Sequence, residues 1–345
     1  MLNNRIVMCL AAAVAVLVGG AAQADVFNMG PGLTSLQFVT VGNPGNPGEQ
    51  SRLAAYGDTT YYGSVADPYL IGKYEVTNAQ WREFLTHKAS ASDPYGLYDV
   101  YWMALSLGGI DRTWSGDHFV YTPKGGDTAW DNRPVNYVTF WDAARFSNWL
   151  HNGQGDGDTE SGAYVNIGNQ DTFARQSGAK YFIPTENEWY KAAFHKNDGV
   201  TGNYFDWPTG SDSVPSNDLI DPDPGNNANF CIRYDGDYDY SMGGPYWTTV
   251  VGDFENSESP YNTFDQGGNV WEWNETAIAG SSRGRRAGDW ISSISYLASS
   301  WRVSNDPEYV SGSVGFRVAS VPEPGSITLV VCGAIAGLIW WRRRR

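Results

Sequence analysis

Cysteine and histidine are scarce in this 345-residue chain, which holds three of the first and four of the second. Cys9 and Cys332 lie in apolar runs at the two ends, so Cys231 is the body's single thiol. One thiol forms neither an intrachain disulfide nor a redox pair. The histidines, His87, His118, His151 and His195, show no HxxxH or HxH spacing, which argues against a multi-histidine transition-metal centre. Basic residues are few as well. The segment from Asp25 to Pro324 carries 18 Lys and Arg against 38 Asp and Glu, a net charge of −20. An acidic body of this kind disfavours nucleic acid and anionic lipid as partners, and is compatible with divalent cations. No internal repeat of the roughly 20–50 residues that mark solenoids or propellers is present.

Long apolar runs occur only at the ends. Arg5, the run Ile6 to Val18 and the small-residue site Ala22-Gln23-Ala24 read as a secretory signal peptide over 1–24, cut before Asp25. Gly325 to Trp341 is an uncharged, mostly apolar run of 17 residues closed by Arg342 to Arg345. As a helix it would just cross a bilayer, with the arginines retained in the cytoplasm. Val321-Pro322-Glu323-Pro324 is a stiff extended linker ahead of it. The body between 25 and 320 is therefore expected outside the cytoplasmic membrane.

What the body has in abundance is glycine and aromatic residues; the chain holds 40 Gly, 15 Trp and 21 Tyr. That composition predicts many loops locked by aromatic packing, and the short helices and extended pieces set among them read as an α+β chain with little regular secondary structure. Three short helices are signalled by threonine capping boxes: Thr77 with Gln80, Thr139 with Asp142, and Thr185 with Glu188. Extended pieces are expected at Leu36–Val41, Tyr69–Val76, Lys180–Ile183 and Gly315–Ala319. Long polar connections separate them at Asn43–Ser64, His151–Ala179 and Gly199–Asn227.

The stretch Phe264 to Trp273, FDQGGNVWEW, combines two carboxylates, Asp265 and Glu272, with paired glycines that let the backbone turn tightly and expose its carbonyls. Two readings fit this spacing. It is an oxygen cage for a hard cation such as calcium, or an acidic turn beside two core tryptophans, Trp271 and Trp273.

Five motifs occur in order: Tyr74-Glu75-Val76-Thr77-Asn78-Ala79-Gln80; Arg133-Pro134-Val135 through Asp142-Ala143; Ile183-Pro184-Thr185-Glu186 through Glu188-Trp189; Gly268-Asn269-Val270-Trp271-Glu272-Trp273; and Gly315-Phe316-Arg317-Val318-Ala319. Together they resemble the sulfatase-modifying factor family, whose best-known member is formylglycine-generating enzyme, over about Phe38 to Ala319. The resemblance implies the formylglycine-generating-enzyme-like, C-type-lectin-like fold for the body. It also implies a structural calcium held by Asp265, the carbonyls of Gly268 and Val270, and Glu272. A second calcium site would begin at Asn229 and Phe230, with Asp235, Asp237 and Asp239 as candidates to complete it or simply as a solvated acidic loop. The family's oxidases bind copper through two cysteines five residues apart after an RGGSW-like segment. Here that segment is Arg286-Ala287-Gly288-Asp289-Trp290, and the cysteine positions fall at about Ser292 and Leu297. Without thiolates there, copper and oxidase activity are not expected, and no catalytic residue is assigned. Cys231 is expected to be a small buried hydrophobe. The C-terminal Pro322, Glu323 and Pro324 with the apolar run and arginines resemble the PEP-CTERM sorting signal over 321–345. That implies processing by signal peptidase and an exosortase. The expected role is ligand binding, to exopolysaccharide or peptide, or matrix assembly at the cell envelope. The competing expectation is a protein-modifying oxidoreductase.

Overall fold

The computed structural model describes residues 35–52, 58–105, 107–278 and 280–322. The signal peptide at 1–24, Glu323 and Pro324 of the sorting motif, and the run Gly325 to Arg345 lie outside the described residues. Among the described residues no helix is long and apolar enough to cross a membrane.

All three capping boxes are realised. Helix α1 (Asn78–Lys88) begins where the Gln80 amide N–H donates to Thr77 Oγ1 and the Gln80 side chain accepts from the Thr77 N–H. Thr139 and Asp142 start α2 (Phe140–His151) in the same way, and Thr185 and Glu188 start α3 (Glu186–Phe194). The reciprocal bonds satisfy donors that an isolated helix end leaves open, so these starts are fixed locally.

Short helices need a surface to cover their apolar faces. Trp81 and Phe84 of α1 meet Phe146 of α2 at ring-centroid separations of 5.5 and 5.4 Å, and Phe316 closes the cluster 5.5 Å from Phe146. One stacked and two edge-to-face ring pairs at these distances fill the core densely.

Three of the four expected extended pieces, and part of the fourth, assemble into one sheet. Its strand order is Phe38–Val41, Tyr69–Gly72, Ala319–Ser320, Tyr181–Phe182, with every pairing antiparallel. A second four-stranded sheet orders Val303–Asn305, Ser282–Arg286, Trp271–Ile278 and Val314–Gly315, the last pairing parallel. The expected strand Gly315–Ala319 is thus split. Val314–Gly315 belongs to one sheet and Ala319–Ser320 to the other, so Phe316, Arg317 and Val318 cross between them. Two-stranded hairpins such as Ile110–Trp114 with Phe119–Pro123, and Cys231–Tyr234 with Asp237–Tyr240, decorate this frame. Among the described residues the long connections hold only two-residue strands or isolated bridges.

Candidate functional site

The crossing between the sheets sets up the centre of the molecule. Arg317 donates from Nε to Glu272 Oε2 at 2.6 Å and from Nη2 to Glu272 Oε1 at 2.5 Å, and neither side chain is exposed. Its remaining N–H groups reach the carbonyls of Gly72 and Phe264 at 3.0 and 2.8 Å. Trp189 Nε1 of α3 also donates to Glu272 Oε2, at 2.7 Å. One guanidinium therefore ties both sheets, and one carboxylate ties the second sheet to α3.

Beside this pair the segment 264–270 turns tightly. Asp265, Gly268 and Asn269 all take positive φ. At Gly268 a side chain is impossible, because a Cβ would stand 2.1 Å from the Asn229 carbonyl oxygen. That close approach explains the glycine better than turn geometry alone. The Asn269 amide donates to the same Asn229 carbonyl at 2.8 Å, and Asn229 Nδ2 donates to Asn269 Oδ1 at 3.1 Å. The two candidate cation segments of the sequence are therefore neighbours. Asp235, Asp237 and Asp239 instead belong to the hairpin of Cys231–Tyr234 with Asp237–Tyr240, where all three side chains are exposed.

Glu75, just ahead of the α1 capping box, is the carboxylate to which the sequence reading gave no role. Its Oε1 accepts from Asn269 Nδ2 at 3.2 Å, while Oε2 is buried without a hydrogen-bond partner. Asn229 Oδ1 is likewise buried and unpartnered. Burial, then the field of Asp265, holds the Glu75 carboxyl well above its ordinary range. Burial raises Asp265 to about 7, although the Gly252 amide donates to its Oδ2 at 2.7 Å. Asp265 also faces a polar niche of about 10 Å³, lined by Thr209, Asn227 and Ser257 among others. That volume holds about one water. Glu75, Asp265 and Glu272 are thus three carboxylates within one another's fields, answered by the single guanidinium of Arg317.

For a cation, the donor set fits in part. Asp265 keeps accepting capacity, and Glu272 Oε1 accepts a single bond, leaving one lone pair. The orphaned Asn229 Oδ1 and Glu75 Oε2 are acceptor atoms of the kind a hard cation takes. Among the described residues no group of three or more His, Cys, Asp or Glu side chains is drawn together closely enough to hold a metal. A site here would rely on carbonyl and amide oxygens as well as carboxylates.

The positions of the expected cysteines are filled differently from one another. Ser292 Oγ donates to Asp289 Oδ1 at 2.5 Å. Leu297 is 1 % exposed and packs with Ala228 and Phe230 in an apolar cluster joined by Trp207 and Ile294. Cys231, far away in sequence, is brought alongside: its amide donates to the Ser292 carbonyl at 3.0 Å. The side chain is fully buried, and burial pushes its thiol up, away from the reactive thiolate.

Glu75, Asn269, Trp189 and Arg317 all stood inside recognisable motifs in the sequence, but nothing local says that they meet.

An acidic, loop-rich α+β domain with its sheets stapled by a buried Glu–Arg pair beneath a glycine turn defines a structural class. The sulfatase-modifying factor enzyme 1-like domain matches residues 46–321, and the chain belongs to that family. Among solved structures, Treponema denticola variable protein 1 is similar at 21% identity and a TM-score of 0.52, covering 85% of this chain and 98% of that one. CarF aligns at 18% identity and a TM-score of 0.48, over 84% and 99% of the two chains. PvdO from Pseudomonas aeruginosa gives 17% and 0.48, over 84% and 95%. The first of these similarities supports the fold. No curated protein matches the sequence significantly.

Proposed function

We propose that this chain is an exported member of the family that keeps the scaffold, binds a structural calcium and has lost the copper oxidase chemistry, serving as a ligand-binding or matrix domain at the cell envelope. The observation that carries this reading is the state of the two positions that would hold copper. A leucine locked in an apolar cluster and a serine bonded to Asp289 offer no soft ligand for copper(I). Cys231 alone, buried beside Ser292, does not restore a thiolate pair.

In this reading calcium would be held by Asp265, the carbonyls of Gly268 and Val270, and Glu272, and a second calcium site would begin at Asn229 and Phe230 in the adjoining segment. Charge supports it: three buried or half-buried carboxylates against one arginine leave a deficit that a proton or a cation must make good. Calcium bound there would fix the 264–270 turn to the second sheet. The ends give the proposed itinerary: export by the signal peptide, and sorting through Pro322, Glu323 and Pro324 with an exosortase as partner.

The test is direct. The protein is incubated with copper, oxygen and a peptide carrying the sulfatase cysteine motif, and the product is read by mass spectrometry. No conversion of cysteine to formylglycine is expected; turnover would establish the competing reading, a protein-modifying oxidoreductase.

A further inference from the structure

We propose that the loop segment 93–105 carries a binding platform for a neutral polysaccharide, centred on Tyr101 and Trp102. The inference rests on the ligand-binding reading above and names its site and ligand class.

Large apolar side chains are exposed in succession here: Val100 by 62 %, Tyr101 by 67 %, Trp102 by 39 % and Leu105 by 45 %. A concentrated exposed patch of this kind marks an interaction site more often than scattered single residues do. The rings are held in place. Trp102 lies parallel to Tyr137, with 12° between planes and centroids 6.1 Å apart, and Tyr101 stands edge-on to Trp102 at 4.6 Å. Asp99 Oδ1 accepts from both the Tyr101 and Trp102 amides at 2.9 Å, which fixes the turn that presents them. Asn136 Nδ2 ties the chain just past this segment to the body by donating to the Leu107 and Gly312 carbonyls at 2.7 and 2.9 Å. Tyr137, the support beneath Trp102, has a φ of 57°, which a bulky residue adopts only where its surroundings hold it there.

The chemistry of the loop selects the occupant. Its only charged residues are Asp93 and Asp99. A loop inserting into an anionic membrane carries lysine or arginine, and this one carries neither. The body's net charge of −20 repels an acidic polymer in the same way. The exposed patch consists of four large side chains, where a stable protein interface takes about 20–30 residues a side. An uncharged sugar chain meets these limits: the C–H face of a pyranose ring stacks on a preorganised indole or phenol, and its hydroxyls bond to tyrosine hydroxyls and carboxylates. Rings fixed before binding lose little entropy on contact.

The experiment uses the full chain in non-ionic detergent. Its mobility is followed in native gels containing hydroxyethyl cellulose, dextran or alginate, alongside Trp102→Ala, Tyr101→Ser and, as a control at an exposed tryptophan outside the loop, Trp114→Ala. Thermal melts check that each variant is folded. The expected result is retardation by at least one neutral polymer, lost in Trp102→Ala and Tyr101→Ser and kept in Trp114→Ala. Retardation that survives both loop substitutions overturns this site while leaving a ligand-binding role standing. Retardation by alginate alone overturns the neutral-sugar assignment. No retardation in any gel overturns the platform; if the protein also captures no peptide from a random peptide library, the ligand-binding reading falls with it.

Discussion

Glu272 and Arg317 form a two-bonded ion pair in which neither side chain exposes any surface, and the arginine's other donors reach carbonyls of the opposite sheet and of the 264–270 turn. Removing one partner of such a pair leaves a buried charge uncompensated, which costs about 3–5 kcal/mol, whereas replacing both with apolar residues costs much less. Arg317→Met alone is therefore expected to destabilise strongly, because Glu75 and Asp265 also lose their counter-charge. Glu272→Leu with Arg317→Met should lose less than Arg317→Met alone, because one fewer buried carboxylate is left without a counter-charge. Urea unfolding of the two variants checks this; equal losses in single and double variants would contradict the role given to the pair.

The same imbalance of charge predicts a response to divalent cations. Ligands that bind only the folded form raise its stability by about 2.7 kcal/mol at a hundredfold excess over Kd. Calcium is expected to raise the melting temperature and a chelator to lower it, with Asp265→Asn abolishing most of the shift. A melting temperature indifferent to calcium and chelator in the parent protein would return the 264–272 stretch to an acidic turn beside core tryptophans.

Leu297 gives a prediction of a different kind. It is packed against Ala228 and Phe230, and a Cβ at Gly267 or Gly288 would approach its methyl carbons at 3.5 and 2.7 Å. Leu297→Ala should cost about 2–5 kcal/mol through the cavity it leaves. A loss below ~1 kcal/mol, read in urea unfolding, would mean that the site collapses freely and that the leucine is not a packed replacement for a ligand.

What could be read from the sequence followed the range of the forces involved. The helix starts at Thr77, Thr139 and Thr185 were legible because a capping box is closed within four residues. The strand Trp271–Ile278 was not: Trp271, Glu272, Trp273 and Asn274 alternate apolar with polar, yet all four are buried, so the polar positions mark no solvent face, and the glycines before it suggested only a loop. The break between Gly315 and Ala319 was invisible because only the second sheet decides where the first must end. The candidate site was half legible. Asp265, Gly268 and Glu272 lie within eight residues, but the contact of Asn229 with Asn269 spans 40 residues and the approach of Glu75 to Asn269 spans 194. Such meetings are set by the packing of both sheets and leave no local trace.

Asp142 links a helix cap to pH. Its Oδ2 accepts from the Thr139 amide at 3.0 Å and from Thr139 Oγ1 at 2.7 Å, and the side chain is buried under α2. Burial outweighs these bonds and raises its carboxyl from 3.8 to about 6. The folded form therefore holds the proton at pH values where the unfolded chain has released it. The group's stabilising contribution is complete below pH ~4 and is lost as pH rises through about 6, a change of about 3 kcal/mol by pH 7. Asp142→Asn keeps an oxygen to accept from Thr139 and removes the titration. The variant should lose less stability than the parent between pH 4 and pH 7, and overtake it near neutrality. Parallel stability profiles for the two proteins in urea titrations across that window would show that Asp142 is already ionised in the folded state.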